Sequence, residues 1–122
     1  MDVGDVDTSA EDFFAAYRQA LLARDADALA RLYAVPGLIL FPGQSVPVSS
    51  TEQTRQFFTA AFQQYEGVTQ ATADVTVLAQ TVHCIWVDVT WQYDRGDGER
   101  MIYQLVDADS AWRIAVLTPV PE

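Results

Sequence analysis

Apolar residues along this chain change their spacing once. Apart from a short hairpin around Pro42-Gly43, they recur every third or fourth position up to Gly67, and from Thr69 onward every second. The first regime predicts helices. "TSAED" offers Thr8 with Glu11 three residues on, a capping-box pattern, so a first helix is expected to start near Thr8 or Ser9. Phe13, Phe14, Tyr17, Ala20 and Leu21 then form its apolar stripe. "RDADALARLY" predicts a second, shorter helix with Asp25 or Asp27 near its start, an apolar face of Leu29, Leu32 and Tyr33, and a stop at Pro36-Gly37. "LILF" and "SVPVS" flank Pro42-Gly43-Gln44 and read as two short strands around a tight turn, the second confined by Pro47 to an edge or a bulge. "SSTEQTRQFFTAAFQQYEG" predicts the third helix, with Ser49/Glu52 or Ser50/Gln53 as its capping box. Phe57, Phe58, Ala61, Phe62 and Tyr65 form its apolar face, and Gly67 suits its C-terminus.

The second regime predicts strands over 69–79, 82–94, 99–107 and 111–118, turning at "RGDG" (Arg95 to Gly98) and "DADS" (Asp107 to Ser110). Helices and a small hairpin followed by a meander make an α+β protein. Successive strand residues face opposite ways, so His83 and Cys84, adjacent in "VHCIWVDVTWQYD", point apart and do not form a catalytic pair. His83 shares a side with Ile85, Val87, Val89, Trp91 and Tyr93, the more apolar set, which is expected to face the helices. Gln104, between Ile102 and Val106, is read onto the same inner side, as is Leu117. Trp86, Tyr103, Trp112 and Ile114 are read onto the outer one. Three helices cover one face of a meander and leave the other open. An open face with this many large apolar groups exceeds what a monomer usually exposes, so a homodimer across it is expected. Asp88, on that face with Cys84, then needs a partner such as an arginine across the interface.

At 122 residues the chain is long enough for one domain with its own core, read as residues 9–122 behind a short, polar, flexible tail of residues 1–8. The basic residues are all arginine. With seven of them against 17 acidic residues the net charge is −10, which repels phosphate backbones and argues against nucleic acid. A single cysteine forms no internal disulfide. The acidic start "MDVGDVDTSA" lacks the pattern of a signal peptide, and no apolar run is long enough to span a bilayer, so no membrane association and a cytoplasmic location are expected. One histidine, one cysteine and scattered carboxylates have no metal-ligand spacing, and no cofactor is implied. "GDG" at Gly96–Gly98 reads as a hairpin turn and not a phosphate loop, because no helix follows it.

The element order resembles the nuclear transport factor 2-like superfamily. So do "YRQALLARDADALARLYAVPGLILFPGQ", "STEQTRQFF" and the closing "WRIAVL". That superfamily includes ketosteroid isomerases, SnoaL-like polyketide cyclases and scytalone dehydratase. The resemblance covers residues 9 to 118 and implies a cone-shaped, curved antiparallel sheet wrapped around three N-terminal helices. It matches Tyr17 to the helix-one tyrosine that donates to the oxyanion in the isomerases, Tyr33 to a second pocket tyrosine, and Phe57 and Phe58 to aromatic residues of the cavity. It puts Phe41 where the isomerases carry their general-base aspartate, and Gln104 where they carry a protonated acid. Without the base, steroid isomerisation has no agent. The cyclase and dehydratase chemistries use an Asp or His inside the cone, and His83 is the histidine on the inner parity.

Three readings follow. The cone holds a small, mainly apolar molecule among Tyr17, Tyr33, Phe41, Phe58, Phe62, Val87, Val89, Trp91, Gln104 and Leu117, with an acceptor oxygen near Tyr17 and Gln104 and without assignable chemistry. Alternatively, aromatic side chains fill the pocket of a non-catalytic dimeric module, or His83 serves a SnoaL-like cyclase or dehydratase type of enzyme.

Overall fold

A computed structural model describes residues 3–121, with side chains described for residues 9–121. Met1 and Asp2 of the expected tail lie outside the described residues. The first helix, α1 (Val3–Leu22), begins ahead of Thr8, so the Thr8–Glu11 pair falls within the helix and not at its cap. Its stripe of Phe13, Phe14, Tyr17, Ala20 and Leu21 is buried, as the spacing predicts. The helix closes in a Schellman arrangement, with the Asp25 amide on the Ala20 carbonyl at 3.0 Å and the Arg24 amide on the Leu21 carbonyl at 3.1 Å. Arg24 occupies the left-handed position (φ 56°) that usually selects glycine. Its guanidinium donates to the carbonyls of Leu21 (3.0 Å) and Leu22 (3.3 Å), and across the molecule to those of Tyr65 (2.5 Å) and Val68 (3.0 Å).

Asp25 then caps α2 (Ala26–Arg31), its carboxylate accepting from the Ala28 amide at 3.0 Å. This helix ends sooner than Pro36-Gly37 suggests, because Tyr33 already opens the first strand, β1 (Tyr33–Phe41). A turn at Pro42-Gly43 leads into β2 (Gln44–Val48). Of the two candidate boxes, Ser50/Gln53 is used. Ser50 Oγ accepts from the Gln53 amide at 3.1 Å at the start of α3 (Thr51–Ala61), and the Gln53 side chain returns to the Ser49 amide at 2.9 Å. One turn of 3₁₀ helix, Phe62–Tyr65, follows, and Gly67 (φ 81°) breaks it.

The remaining strands are β3 (Ala71–Gln80), β4 (Cys84–Tyr93), β5 (Glu99–Ala108) and β6 (Ala111–Pro119). All six strands form one curved sheet in the order β2-β1-β6-β5-β4-β3. β1 and β6 run parallel and the other neighbours antiparallel, so the sheet is mixed and not purely antiparallel. Pro47 sits on the edge strand β2, where its missing amide donor costs nothing. The helices cover one face, with Phe14 of α1 lying 4.8 Å from Tyr103 and 6.3 Å from Trp91 between ring centres. Among the described residues no helix is long and apolar enough to cross a membrane.

Register decides which side chains face the helices, and it departs from the expected pattern in two places. A hairpin turning on Arg95–Gly98 alone would pair Asp94 with Glu99. The observed partner of Glu99 is Trp91, an odd shift of three positions that exchanges the two faces of β5. Tyr103 and Leu105 therefore face inward and are buried, while Gln104 turns to the outer face, opposite Trp86. In β6, Gln104 pairs with Val116 and Leu105 with Ile114, which leaves Ala115 as a bulge. The extra residue lets Ile114 and Leu117, three apart, both point into the core. Trp112 also packs against that core. Of the four residues expected at an outer-face dimer seam, Tyr103, Ile114 and Trp112 thus belong to the helix side, and Trp86 alone stays outside. The DADS segment turns more tightly than expected, with Ala108 pairing to Ala111 and both Asp109 (φ 54°) and Ser110 (φ 65°) left-handed, as a two-residue type I′ turn requires.

Candidate ligand cavity

Between the helices and the inner face lies a cavity of about 160 Å³. That is close to the ~150 Å³ apolar cavity known to hold one benzene ring, and well below the roughly 300–1,000 Å³ of drug-sized sites. Large side chains make it small. From the helix side it is walled by Tyr17 and Leu21 of α1, by Phe57, Phe58 and Ala61 of α3, and by Gln64 and Tyr65 of the 3₁₀ turn. The sheet contributes Tyr33, Ile39 and Phe41 from β1, Trp91 and Tyr93 from β4, Glu99, Met101 and Tyr103 from β5, and Leu117 from β6.

Polar atoms in this aromatic shell are paired in a definite way. The Tyr17 and Tyr33 hydroxyls share a buried hydrogen bond of 2.9 Å. Trp91 Nε1 donates to the Tyr103 hydroxyl at 3.0 Å, and that hydroxyl lies 3.6 Å from Met101 Sδ. The Tyr65 hydroxyl (2.8 Å) and the Tyr93 hydroxyl (2.7 Å) both donate to one oxygen, Oε2, of half-buried Glu99. Glu99 faces the cavity because it pairs with Trp91, whose indole also faces in. The Tyr65 and Tyr93 rings meet edge to face at 5.4 Å, and the Trp91 and Tyr93 planes lie within 7° of each other.

Burial pushes the hydroxyls of Tyr17, Tyr33 and Tyr103 well above the usual phenol value of 10. For Tyr17 the neighbouring phenol of Tyr33 adds to the effect. Tyr65 and Tyr93 are also raised, by burial first. The Glu99 charge comes next for Tyr65, and the Tyr65 phenol ahead of Glu99 for Tyr93. All five therefore stay protonated at neutral pH and act as hydrogen-bond donors, not as bases.

Of the residues expected at a pocket, Tyr17, Tyr33, Phe41, Phe58, Trp91 and Leu117 line this cavity. Val87 and Val89 face the helices but are fully buried in the core and do not reach it. Phe62 packs beside Phe58 at 6.5 Å, outside the lining. Gln104 is on the other face of the sheet, its amide 3.6 Å from Cys84 Sγ, so the expected Tyr17–Gln104 donor pair does not form. His83 is exposed in the bend before β4, which starts at Cys84 and not at Val82. Its backbone amide bonds to Thr81 Oγ1 at 3.3 Å and its side chain lines no part of the cavity, which removes it as a base inside the cone.

Sequence reasoning missed several lining residues, among them Tyr65, Tyr93, Met101 and Tyr103, and the one with chemical weight is Glu99. Its alternation with Met101 and Tyr103 was visible, but its face depended on the hairpin register. Among the described residues no group of three or more His, Cys, Asp or Glu converges as a metal site would.

Comparison with known proteins agrees with this architecture. A family model described as "NTF2-like protein (DUF6841)" matches residues 7–122. Among solved structures, an NTF-2 like protein of unknown function from Shewanella oneidensis MR-1 superposes with a TM-score of 0.76 at 12% identity, covering 93% of this chain and 97% of that one. A second NTF-2 like protein of unknown function, from Silicibacter pomeroyi DSS-3, gives 0.74 at 13% identity over 98% of both chains. An NTF2-like protein from Cytophaga hutchinsonii ATCC 33406 gives 0.72 at 15% identity over the whole of both. A search of curated proteins found no match.

Proposed function

This chain belongs to the NTF2-like family DUF6841, and from that premise we propose that its cone is a binding site for one small, mainly apolar molecule of about single-ring size. The observation that carries the reading is the cavity itself: an aromatic shell that leaves about 160 Å³ unfilled, with one carboxylate oriented by two phenols at its edge. A core shaped only for stability would close on itself, since voids of this size cost several kcal/mol when nothing fills them. Steroid-sized substrates do not fit the volume, and Phe41 stands among the lining side chains where the isomerases would carry their base. The five phenols are neutral and already paired with protein groups, which suits holding a molecule more than transforming it.

The test is an NMR titration of the ¹⁵N-labelled protein with single-ring, two-ring and steroid-sized neutral compounds. Single-ring compounds are expected to shift the Trp91 indole resonance saturably and the larger ones not to. Ala61→Trp, which fills the cavity from α3, abolishes the shift. Absence of any saturable shift with every compound overturns the reading.

A homodimer through the outer face of the sheet is part of the same proposal. Trp86, Ile102, Val106 and Val116 remain half-buried there, on the side away from the helices. Asp88 on this face is paired with Arg100 of the same chain at 2.6 Å, so its partner is not the arginine across the interface that the sequence suggested. A two-fold axis beside that pair would set each chain's arginine against the other's aspartate, so the face suits a second copy of itself. Light scattering is expected to find a dimer at micromolar concentration that Trp86→Glu splits. A wild-type monomer under those conditions rules it out.

A further inference from the structure

We infer that the occupant of this cavity is an organic cation, a small ammonium whose nitrogen meets Glu99 and whose apolar part lies among Trp91, Tyr17 and Phe58. The inference deepens the binding reading above and rests on it.

Four observations lead to it. First, the lining contains no Arg and no His, and Glu99 is its single carboxylate. An anionic ligand would meet a negative charge and no positive one. Second, Glu99 has one oxygen without a partner among the described residues, and that oxygen is open to solvent. Two phenols bond to Oε2, while Oε1 accepts no hydrogen bond and the side chain forms no ion pair among the described residues. A half-buried carboxylate with one open oxygen is best completed by a charged N–H donor, the stronger class of hydrogen bond. Third, the wall beside Glu99 is aromatic: Tyr65, Tyr93 and Trp91 line the cavity with it, the Trp91 and Tyr93 planes lying within 7° of each other. Ring faces attract cations and do nothing comparable for neutral polar groups. Fourth, the chain as a whole carries −10, which raises the local concentration of cations at any concave site. The size limit restricts the class to compact amines, of one ring or a short branched chain.

A plainer account is that Glu99 only anchors two tyrosines of the wall and faces solvent with its other oxygen. The two accounts differ in ligand charge, which isosteric probes isolate. Benzylammonium, benzyl alcohol and benzoate would be titrated into the full chain at pH 7 and physiological salt, where diffuse attraction is screened. Binding is read from the Trp91 indole resonance, and the series is repeated on Glu99→Gln. Benzylammonium is expected to bind at least tenfold more tightly than the alcohol, and benzoate more weakly than both. Glu99→Gln is expected to erase the ammonium's advantage over the alcohol. If the alcohol matches the ammonium, or if Glu99→Gln keeps the preference, the cation assignment is wrong while the pocket reading stands. If no probe binds, both fall. Should Glu99→Gln misfold, the wild-type ranking still decides the question of charge.

Discussion

Tyr17 and Tyr33 pair across the cavity wall with both side chains buried. Tyr17→Phe strands the Tyr33 hydroxyl and is expected to cost about 1–2 kcal/mol of unfolding free energy in urea. Adding Tyr33→Phe removes the stranded group as well, so the double variant is expected to lose clearly less than the sum of the two single losses. Full additivity would mean that the 2.9 Å contact contributes nothing to stability. At this scale the sequence was informative where burial and spacing coincide. Phe14, Tyr17 and Leu29 could be assigned to the core from the helical stripe alone, and Trp91 from strand alternation. Glu99 could not be placed that way. A carboxylate next to a glycine turn reads as a surface residue until its cross-strand partner is known.

The hairpin between β4 and β5 is the element on which the site depends. A Cβ added at Gly98 would sit 2.5 Å from the Trp91 carbonyl oxygen, a backbone atom that cannot move aside. That close approach sets Glu99 opposite Trp91 and turns the carboxylate inward. Gly98→Ala is expected to destabilise the protein by roughly 1–3 kcal/mol, the range for forced overpacking. It is also expected to weaken the Tyr93–Glu99 contact, read as an earlier urea midpoint and a shifted Tyr93 ring resonance. An unchanged midpoint would mean that the turn tolerates a side chain and the register is fixed elsewhere. Element type and order were legible throughout, because the change from helical to alternating spacing is a property of the residues themselves. Register was not. An odd slip in β5 reverses the facing of a whole strand, and one bulged residue, Ala115, reverses that of β6 on one side of it; neither shows in the residue pattern. Gln104, Tyr103 and Ile114 were misassigned for that reason alone.

For the whole molecule, burial of the phenols sets a limit at high pH. All five tyrosines have raised values when folded, while in the unfolded chain they ionise near 10. Below pH 10 both states hold these protons and the phenols add no pH dependence. Above it the unfolded chain loses protons that the folded one keeps, so unfolding free energy falls by up to about 1.4 kcal/mol per pH unit for each fully buried phenol. Tyrosinate absorbance at 295 nm is expected to stay low past pH 10 and then to rise together with loss of near-ultraviolet dichroism. A smooth rise at pH 10 in the folded protein would contradict that burial. Arg24 has a consequence for timing. Its guanidinium pins the carbonyls of Tyr65 and Val68 to the end of α1, so the wall segment bearing Tyr65 is tethered by a residue that never touches the cavity. Arg24→Gly suits the left-handed backbone better and cuts the tether. A bound molecule would then enter and leave faster in equal measure, with its dissociation constant changing much less than its residence time. Line-shape analysis would separate the two, and unchanged exchange rates would show that the wall keeps its place without the pin.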